Sequence, residues 1–398
     1  MKLVKMSLVA ALLVGSSAFA VENVKVSGDA KLFYATDDNH GNGDLFNKAD
    51  SMAQFGLGLG ITADLSDKVM AGAHYSVLST LGVEGQLVND VFEDTNNVTD
   101  YSWFDEAWLA TTAGKTTFKA GRMQLDTPIV FSETWSAAVN TFEAAVAINT
   151  DLPDTTVVAA YVGGSNGGDV VTNPGVVIAP VNANGTSNFS QFYNGAYTVG
   201  IVNNSVEALT AQLWYYNATS VLDAYWLQAD ADLGGLLLGV QYTSQDASAF
   251  NDTFEAQTAM AVKVGYSNHK NLHAYIAYSS VDDAAGLGNV GANLAGSGQS
   301  KLYTEAWWTY GYVSKSDTTA ITFEIEYEAD GIADFGFFYT MADGPETTTN
   351  ADAGDMTEIT LTASRSYGGL DTTLAILNET KDGADATMGV QAYFTYNF

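Results

Sequence analysis

Apolar and polar positions alternate along most of this chain with a period of two. In the C-terminal stretch, Met388, Val390, Ala392, Phe394, Tyr396 and Phe398 fall on one face. Thr387, Gly389, Gln391, Thr395 and Asn397 fall on the other. Side chains on a strand point to opposite faces in turn, so this segment is a ribbon that is apolar on one side only. Residues 54–65 repeat the pattern. Phe55, Leu57, Leu59, Ile61, Ala63 and Leu65 share one face, against Gln54, Gly56, Gly58, Gly60, Thr62 and Asp64. The glycines at 56, 58 and 60 lack the strand-then-helix setting of a phosphate-binding loop. They read as small residues on the polar face.

The same period predicts strands near 24–35, 54–65, 69–80, 103–112, 116–124, 141–150, 155–163, 193–203, 206–217, 221–232, 236–246, 256–267, 272–282, 318–329, 334–343, 355–366, 371–380 and 385–398. Between them lie short turns and long connections in alternation. One long connection is acidic, with Asp90, Glu93, Asp94 and Asp100. Residues 125–140, with Pro128, Glu133 and Trp135, break the alternation. The stretch 301–313 is strand-like, but counting it gives an odd total and puts long loops on the side of the short turns. Parity therefore assigns it to a long external loop. The pattern predicts an all-β protein: a transmembrane antiparallel barrel of about 18 strands, with short periplasmic turns and long external loops. A soluble β-sandwich shares the alternation.

Composition separates the two. Charged residues are 15 % of the 398, aromatics are 12 %, and Tyr alone numbers 21. Soluble chains carry about 25 % charged residues, whereas barrels carry aromatic girdles at both membrane interfaces. The first 20 residues read as a signal peptide: Lys2 and Lys5, a short apolar core, then Ala18-Phe19-Ala20 as the cleavage site. The mature barrel domain is then 21–398. No apolar run reaches the ~20 residues of a membrane helix, and a closed barrel is the other way to span. The location expected is the bacterial outer membrane, with its lipid and lipopolysaccharide as neighbours. The formal charge of −31 excludes nucleic acid as a partner. With no Cys there is no disulfide or thiolate metal site.

Several stretches resemble the OprD-like outer-membrane porins, and in particular the major outer-membrane porins of Campylobacter-like bacteria. They are Lys119-Ala120-Gly121-Arg122-Met123-Gln124-Leu125-Asp126-Thr127-Pro128, Asp105-Glu106-Ala107-Trp108-Leu109 and Asn140-Thr141-Phe142-Glu143. The resemblance implies an 18-stranded barrel, a homotrimer, and a third loop folded inward to narrow the pore. OprD-like channels for carboxylates line one wall with Arg and Lys. This chain has two Arg, Arg122 and Arg365, so the basic ladder is sparse.

Charges along a low-dielectric wall concentrate counter-ions, and rings of Asp and Glu select cations. With the apolar face of each strand turned to lipid, Glu324, Glu326 and Glu328 form an inward acidic row. Asp230 and Asp232 join them on the lumen wall. Asp126, Glu133 and Glu143 flank the third loop and are the expected acidic constriction. Lys119, Arg122 and Lys263 are the basic counterparts. Ca²⁺ suits such oxygen ligands, but no D-x-D-x-D-G loop is present, so a site would have to assemble from separate strands. His269 and His273 straddle a turn and are expected to be solvated there rather than to bind zinc. Arg365 falls on the apolar phase, which calls for a bulge or for a side chain that snorkels to the rim.

The function expected is passive diffusion of ions and small hydrophilic solutes through a water-filled channel, with cations favoured. A substrate-specific channel for small organic solutes is the alternative within that class. An abundant barrel acting as adhesin or structural protein is another. An enzyme is not expected, since no G-x-S-x-G occurs and no nucleophile, base and orienter come together in sequence.

Overall fold

The computed structural model describes residues 21–39, 43–83, 85–91, 100–167, 189–295, 298–345 and 354–398. The leader at 1–20 and the loop acids Glu93 and Asp94 lie outside the described residues. The strands are β1 Glu22–Asp37, β2 Ser51–Ser66, β3 Val69–Ser79, β4 Asp90–Val91, β5 Asp100–Ala113, β6 Thr116–Met123 and β7 Phe142–Asn149. They continue with β8 Thr155–Ser165, β9 Ser190–Val206, β10 Leu209–Ala218, β11 Leu222–Asp232, β12 Leu236–Asp246 and β13 Gln257–Ser267. The last are β14 Leu272–Val281, β15 Thr319–Ala329, β16 Ala333–Asp343, β17 Met356–Tyr367, β18 Leu370–Lys381 and β19 Thr387–Asn397. Apart from the two-residue β4, which lies parallel to β2, each strand pairs antiparallel with its neighbour in sequence, and β3 pairs with β5. β19 pairs with β1 from Asp29↔Asn397 to Asp37↔Gly389. Eighteen strands thus close into a barrel, which leaves no free edge to recruit another chain.

The two ends differ as the loop lengths require. One end carries only tight connections, such as the β11–β12 turn, where Gly234 (φ 73°) and Gly235 (φ 103°) supply the left-handed conformations. The other end carries the long ones. Two matter here: L3, residues 124–141 between β6 and β7, and L7, residues 282–318 between β14 and β15. The strand-like stretch 301–313 lies within L7, as parity demanded.

The outer surface is apolar. Leu238 and Val240 on β12, Met260, Val262 and Val264 on β13, and Ile276 on β14 are all exposed. A soluble monomer seldom exposes a contiguous apolar patch beyond a few hundred Å², so this surface is built for lipid. Aromatics ring it at two levels. Near the long loops, Tyr161 packs on Tyr197 (5.2 Å between centroids), Tyr215 on Tyr225 (5.1 Å) and Tyr75 on Phe104 (5.0 Å). Near the short turns stand Tyr266, Tyr327, Tyr367, Tyr396 and Phe398. No helix among the described residues is long and apolar enough to cross a membrane. Arg365 needs no bulge: β17 runs in unbroken register with both neighbours. Its guanidinium snorkels to the rim, where it donates to the Ile332 carbonyl (2.7 Å) and lies over the Tyr367 ring.

The inner face carries the polar wall and the core. Lumen-facing glycines leave room for flat or incoming groups. A Cβ on Gly200 would stand 2.2 Å from the Trp214 indole, and one on Gly72 would stand 2.3 Å from Trp108. At Gly56 it would stand 3.0 Å from the Ala137 carbonyl of L3. The glycines of β2 are therefore space for neighbours on the lumen face, as their phase predicts.

Candidate functional site: the pore constriction

L3 turns inward because it has apolar residues to bury. Ile129, Val130 and Phe131 are nearly inaccessible, and Ile129 and Val130 pack with Met123, Phe142 and Val290, the last from L7. The loop is folded locally by an Asp126↔Phe131 bridge and by Thr127 Oγ1 donating to the Val130 carbonyl (2.7 Å). The sequence expectation of an inward third loop matches this.

L7 folds inward as well, where the alternation predicts an external loop. Leu302, Ala306 and Val313 bury against lumen-facing Ala259, Ala261, Ala277 and Ala320 of β13–β15. The inner wall there is apolar and flat, so the loop gains by covering it. Polar anchors set the position. Gln241 donates to the Lys301 carbonyl (2.8 Å), Tyr303 Oη to Asp230 (2.7 Å), and Thr322 Oγ1 to the Thr304 carbonyl (2.8 Å). Glu358 of β17 accepts from Trp308 N (3.0 Å), Thr309 N (2.7 Å) and Thr309 Oγ1 (2.7 Å).

The two loops are bolted together. Asn293 donates to the Phe131 carbonyl (2.9 Å) and to Glu133 Oε1 (2.8 Å), and accepts from Phe131 N (3.2 Å). Asn140 reaches across to the Ala295 carbonyl (3.0 Å), and Leu294 N donates to the Ile129 carbonyl (2.9 Å). Lys301 ion-pairs with Asp126. What remains between the loops and the wall of β14–β19 is a cavity of about 560 Å³. Trp135, Trp307, Tyr310, Phe338 and Tyr393 line it, with Glu305 and Glu324 as its carboxyl groups.

Glu305 is enclosed within L7. It accepts from Gly311 N (2.8 Å), Ser300 N (2.7 Å) and Ser300 Oγ. Burial nevertheless dominates and pushes its carboxyl up to about 7.

The expected constriction acids take other places. Glu133 is 1 % exposed, with its oxygens taken by Asn293 and Trp135 Nε1 (3.0 Å), so it is a bolt between loops. Asp126 is exposed and held by Lys301. Glu143 lies on the opposite phase from the one expected. Phe142 and Ala144 on either side of it are buried in the inner core with Ile129. The greasy residues of β7 face inward here because L3 covers them. Arg122 pairs with Glu143 in register and shares that phase, so it leaves the lumen ladder as well. It contacts Glu143 (3.0 Å), the Phe104 carbonyl (3.1 Å) and the Phe189 ring.

The wall residues keep the predicted phase. Glu324, Glu326 and Glu328 alternate with outward Phe323 and Tyr327. Asp230 and Asp232 alternate with outward Tyr225 and Leu227 of the same strand. Lys263 faces in and pairs with Asp230 (2.9 Å). Lys119 lies over the Trp108 ring (4.2 Å). Among the described residues, no Lys or Arg reaches ion-pair distance of Glu326 or Glu328. Asp334 of β16 stands directly opposite Glu328 and extends the acidic row.

Glu358, Glu305, Asn293 and the L7 aromatics were missed. The signal was present: 259, 261, 277 and 320 are Ala on the polar phase, so the long-loop halves of these strands are apolar on both sides. A strand apolar on both faces needs a cover within the barrel.

No protein-family model matches this chain, and no curated protein matches it. Solved structures do. OccK8 (OprE) of Pseudomonas aeruginosa aligns over 96 % of this chain and 99 % of its own, at 15 % identity and TM-score 0.70. The outer membrane protein opdK of the same organism aligns over 95 % and 99 %, at 12 % identity and TM-score 0.73. OpdK with vanillate aligns over 95 % and 99 %, at 12 % identity and TM-score 0.71. At these identities the likeness is one of fold, and it fits the OprD-like resemblance of the central motifs.

Proposed function

We propose that this chain is an outer-membrane porin, a non-enzymatic, water-filled channel for passive diffusion of ions and small hydrophilic solutes, with cations favoured. The supporting observation is the charge balance of the lumen. Lys263, Lys301 and Lys381 are each paired with a carboxylate, Asp230, Asp126 and Glu379. Among the described residues, the basic group within 4 Å of the row Glu324, Glu326 and Glu328 is His273, at 3.9 Å from Glu324 and 3.8 Å from Glu326. Net negative charge on a low-dielectric wall enriches cations wherever the passage is narrower than the ~8 Å Debye length. A homotrimer, and contact of the acidic external loops with lipopolysaccharide, belong to the same proposal.

The aromatic neck favours a second reading, a channel selective for small organic solutes. Seven aromatic rings around a space of about 560 Å³ suit a flat or alkylated solute better than a bare ion. The structural neighbour solved with vanillate held a small aromatic molecule. Here carboxyl groups accompany the rings, so an organic cation would be preferred by cation–π attraction.

The test is the reversal potential of the refolded barrel in a planar bilayer under a KCl gradient. A cation-directed potential that collapses in the triple variant Glu324→Gln, Glu326→Gln, Glu328→Gln supports the assignment. An anion-directed potential, or one unchanged by the triple variant, removes the acidic row as the selectivity element. Saturable uptake of an aromatic amine in liposome swelling would move the assignment to the selective channel.

A further inference from the structure

Among the described residues, one group of three metal-binding side chains comes within mutual reach. His273 of β14 stands opposite Glu326 of β15, and Tyr275 stands opposite Glu324. The period of two therefore puts His273, Glu324 and Glu326 on one patch of the lumen wall. Their donor atoms all lie within 4.8 Å of one another. We infer that His273, Glu324 and Glu326 form a binding site for a divalent transition-metal ion, of the Zn²⁺ or Ni²⁺ type, on the lumen wall near the short-turn end.

Four features carry this. First, His273 Nδ1 is buried and has no hydrogen-bond partner. Leaving a buried nitrogen without a partner is costly, so the ring in that position is poised for a ligand. Second, Nδ1 is 3.9 Å from Glu324 Oε1 and 3.8 Å from Glu326 Oε2. That is too long for hydrogen bonds. Two donors bound to one ion at ~2.1 Å each sit ~3.0–3.5 Å apart, so a small rotation of the half-exposed Glu326 closes the set. Third, Glu324 is already oriented. Tyr275 Oη donates to its Oε2 (2.8 Å), which turns Oε1 toward His273. This is the outer-shell support that metal-binding carboxylates show. Fourth, one imidazole nitrogen and two carboxylate oxygens suit borderline divalent ions. Ca²⁺ takes oxygen alone. Lumen water completes the coordination. Lys263 is held by Asp230 (2.9 Å) and lies over the Tyr303 ring (4.1 Å), so it does not fill the site.

The consequence is a saturable stop for a divalent ion on the lumen wall, one residue step from the neck where Glu324 sits. The site does not depend on whether the pore favours cations.

The test is isothermal titration of the tag-free, folded barrel with ZnCl₂, NiCl₂ and CaCl₂ at pH 7.5. One equivalent of Zn²⁺ and of Ni²⁺ should bind, while Ca²⁺ should not. His273→Ala and Glu326→Gln should each abolish binding. Tyr275→Phe should weaken it by about 10–100-fold, the usual effect of losing an outer-shell partner. Heat-modifiable mobility on gels reports that each variant is folded, and Zn²⁺ block of the K⁺ current gives a second readout. No binding by the wild-type barrel overturns the site. So does binding that survives His273→Ala, or Ca²⁺ that binds as tightly as Zn²⁺.

Discussion

Removing one wall carboxylate should release L7 without unfolding the barrel. Glu358 is 1 % exposed and lies under the segment Trp308–Thr309, accepting from two backbone N–H groups, the Thr309 hydroxyl and Thr360 Oγ1 (3.1 Å). Glu358→Ala strands both N–H groups over a wall that no longer accepts. Each hydrogen bond to a charged group is worth about 1.5–3 kcal/mol, and each stranded group costs about 1–3 kcal/mol. Thr309 Oγ1 keeps a second partner in Glu379 (3.1 Å), and water enters the space left behind. Both effects place the net loss near the low end, about 3 kcal/mol, or roughly two orders of magnitude in the docked-to-undocked ratio. Glu358→Gln keeps one acceptor oxygen but faces its NH₂ toward donors, so about half that loss is expected. The assay is amide exchange in detergent micelles, read by mass spectrometry. Protection at 308–309 should fall about a hundredfold in Glu358→Ala, with the strand peptides unchanged. Single-channel conductance should rise, because L7 fills part of the lumen. Unchanged protection at 308–309 would sink the docking role. Loss of protection throughout β17 would show that Glu358 instead supports the barrel itself.

Two further outcomes follow from the same geometry. Glu305 has its carboxyl raised from the ordinary 4.5 to about 7 by burial inside L7. A raised pKa means the contribution to loop stability is fully present below about 4.5 and is lost as pH rises through about 7. Protection across 299–311, corrected for the intrinsic pH dependence of amide exchange, should therefore fall from pH 4.5 to 7.5, while in Glu305→Gln it should be flat over that window. On the wall, Gly200→Ala puts a Cβ 2.2 Å from the Trp214 indole. The ring must leave its place on β9, at about 1–3 kcal/mol, so the unfolding temperature on heat-modifiability gels should drop. An unchanged transition would mean that the indole has another place to lie.

The alternation of the sequence by itself determined the strands, their even count and the outer face. A strand's period is local, and lipid imposes one rule on every outward position. That is why the phase of Glu324, Glu326, Glu328, Asp230 and Lys263 was legible, and why parity could place 301–313 in a loop. Tertiary structure decided the rest. Glu143 and Arg122 sit opposite to their expected phase because L3 covers the inner face of β7, so Phe142 is buried inward. Apolar residues mark burial, and sequence does not say whether lipid or another loop does the burying. Glu133 became a bolt and Asp126 an ion pair through Asn293 and Lys301, which lie 160 and 175 residues away. Contacts of that separation leave no local period. The neck and the His273–Glu324–Glu326 cluster exist only because closure and strand register bring distant positions onto one patch of wall.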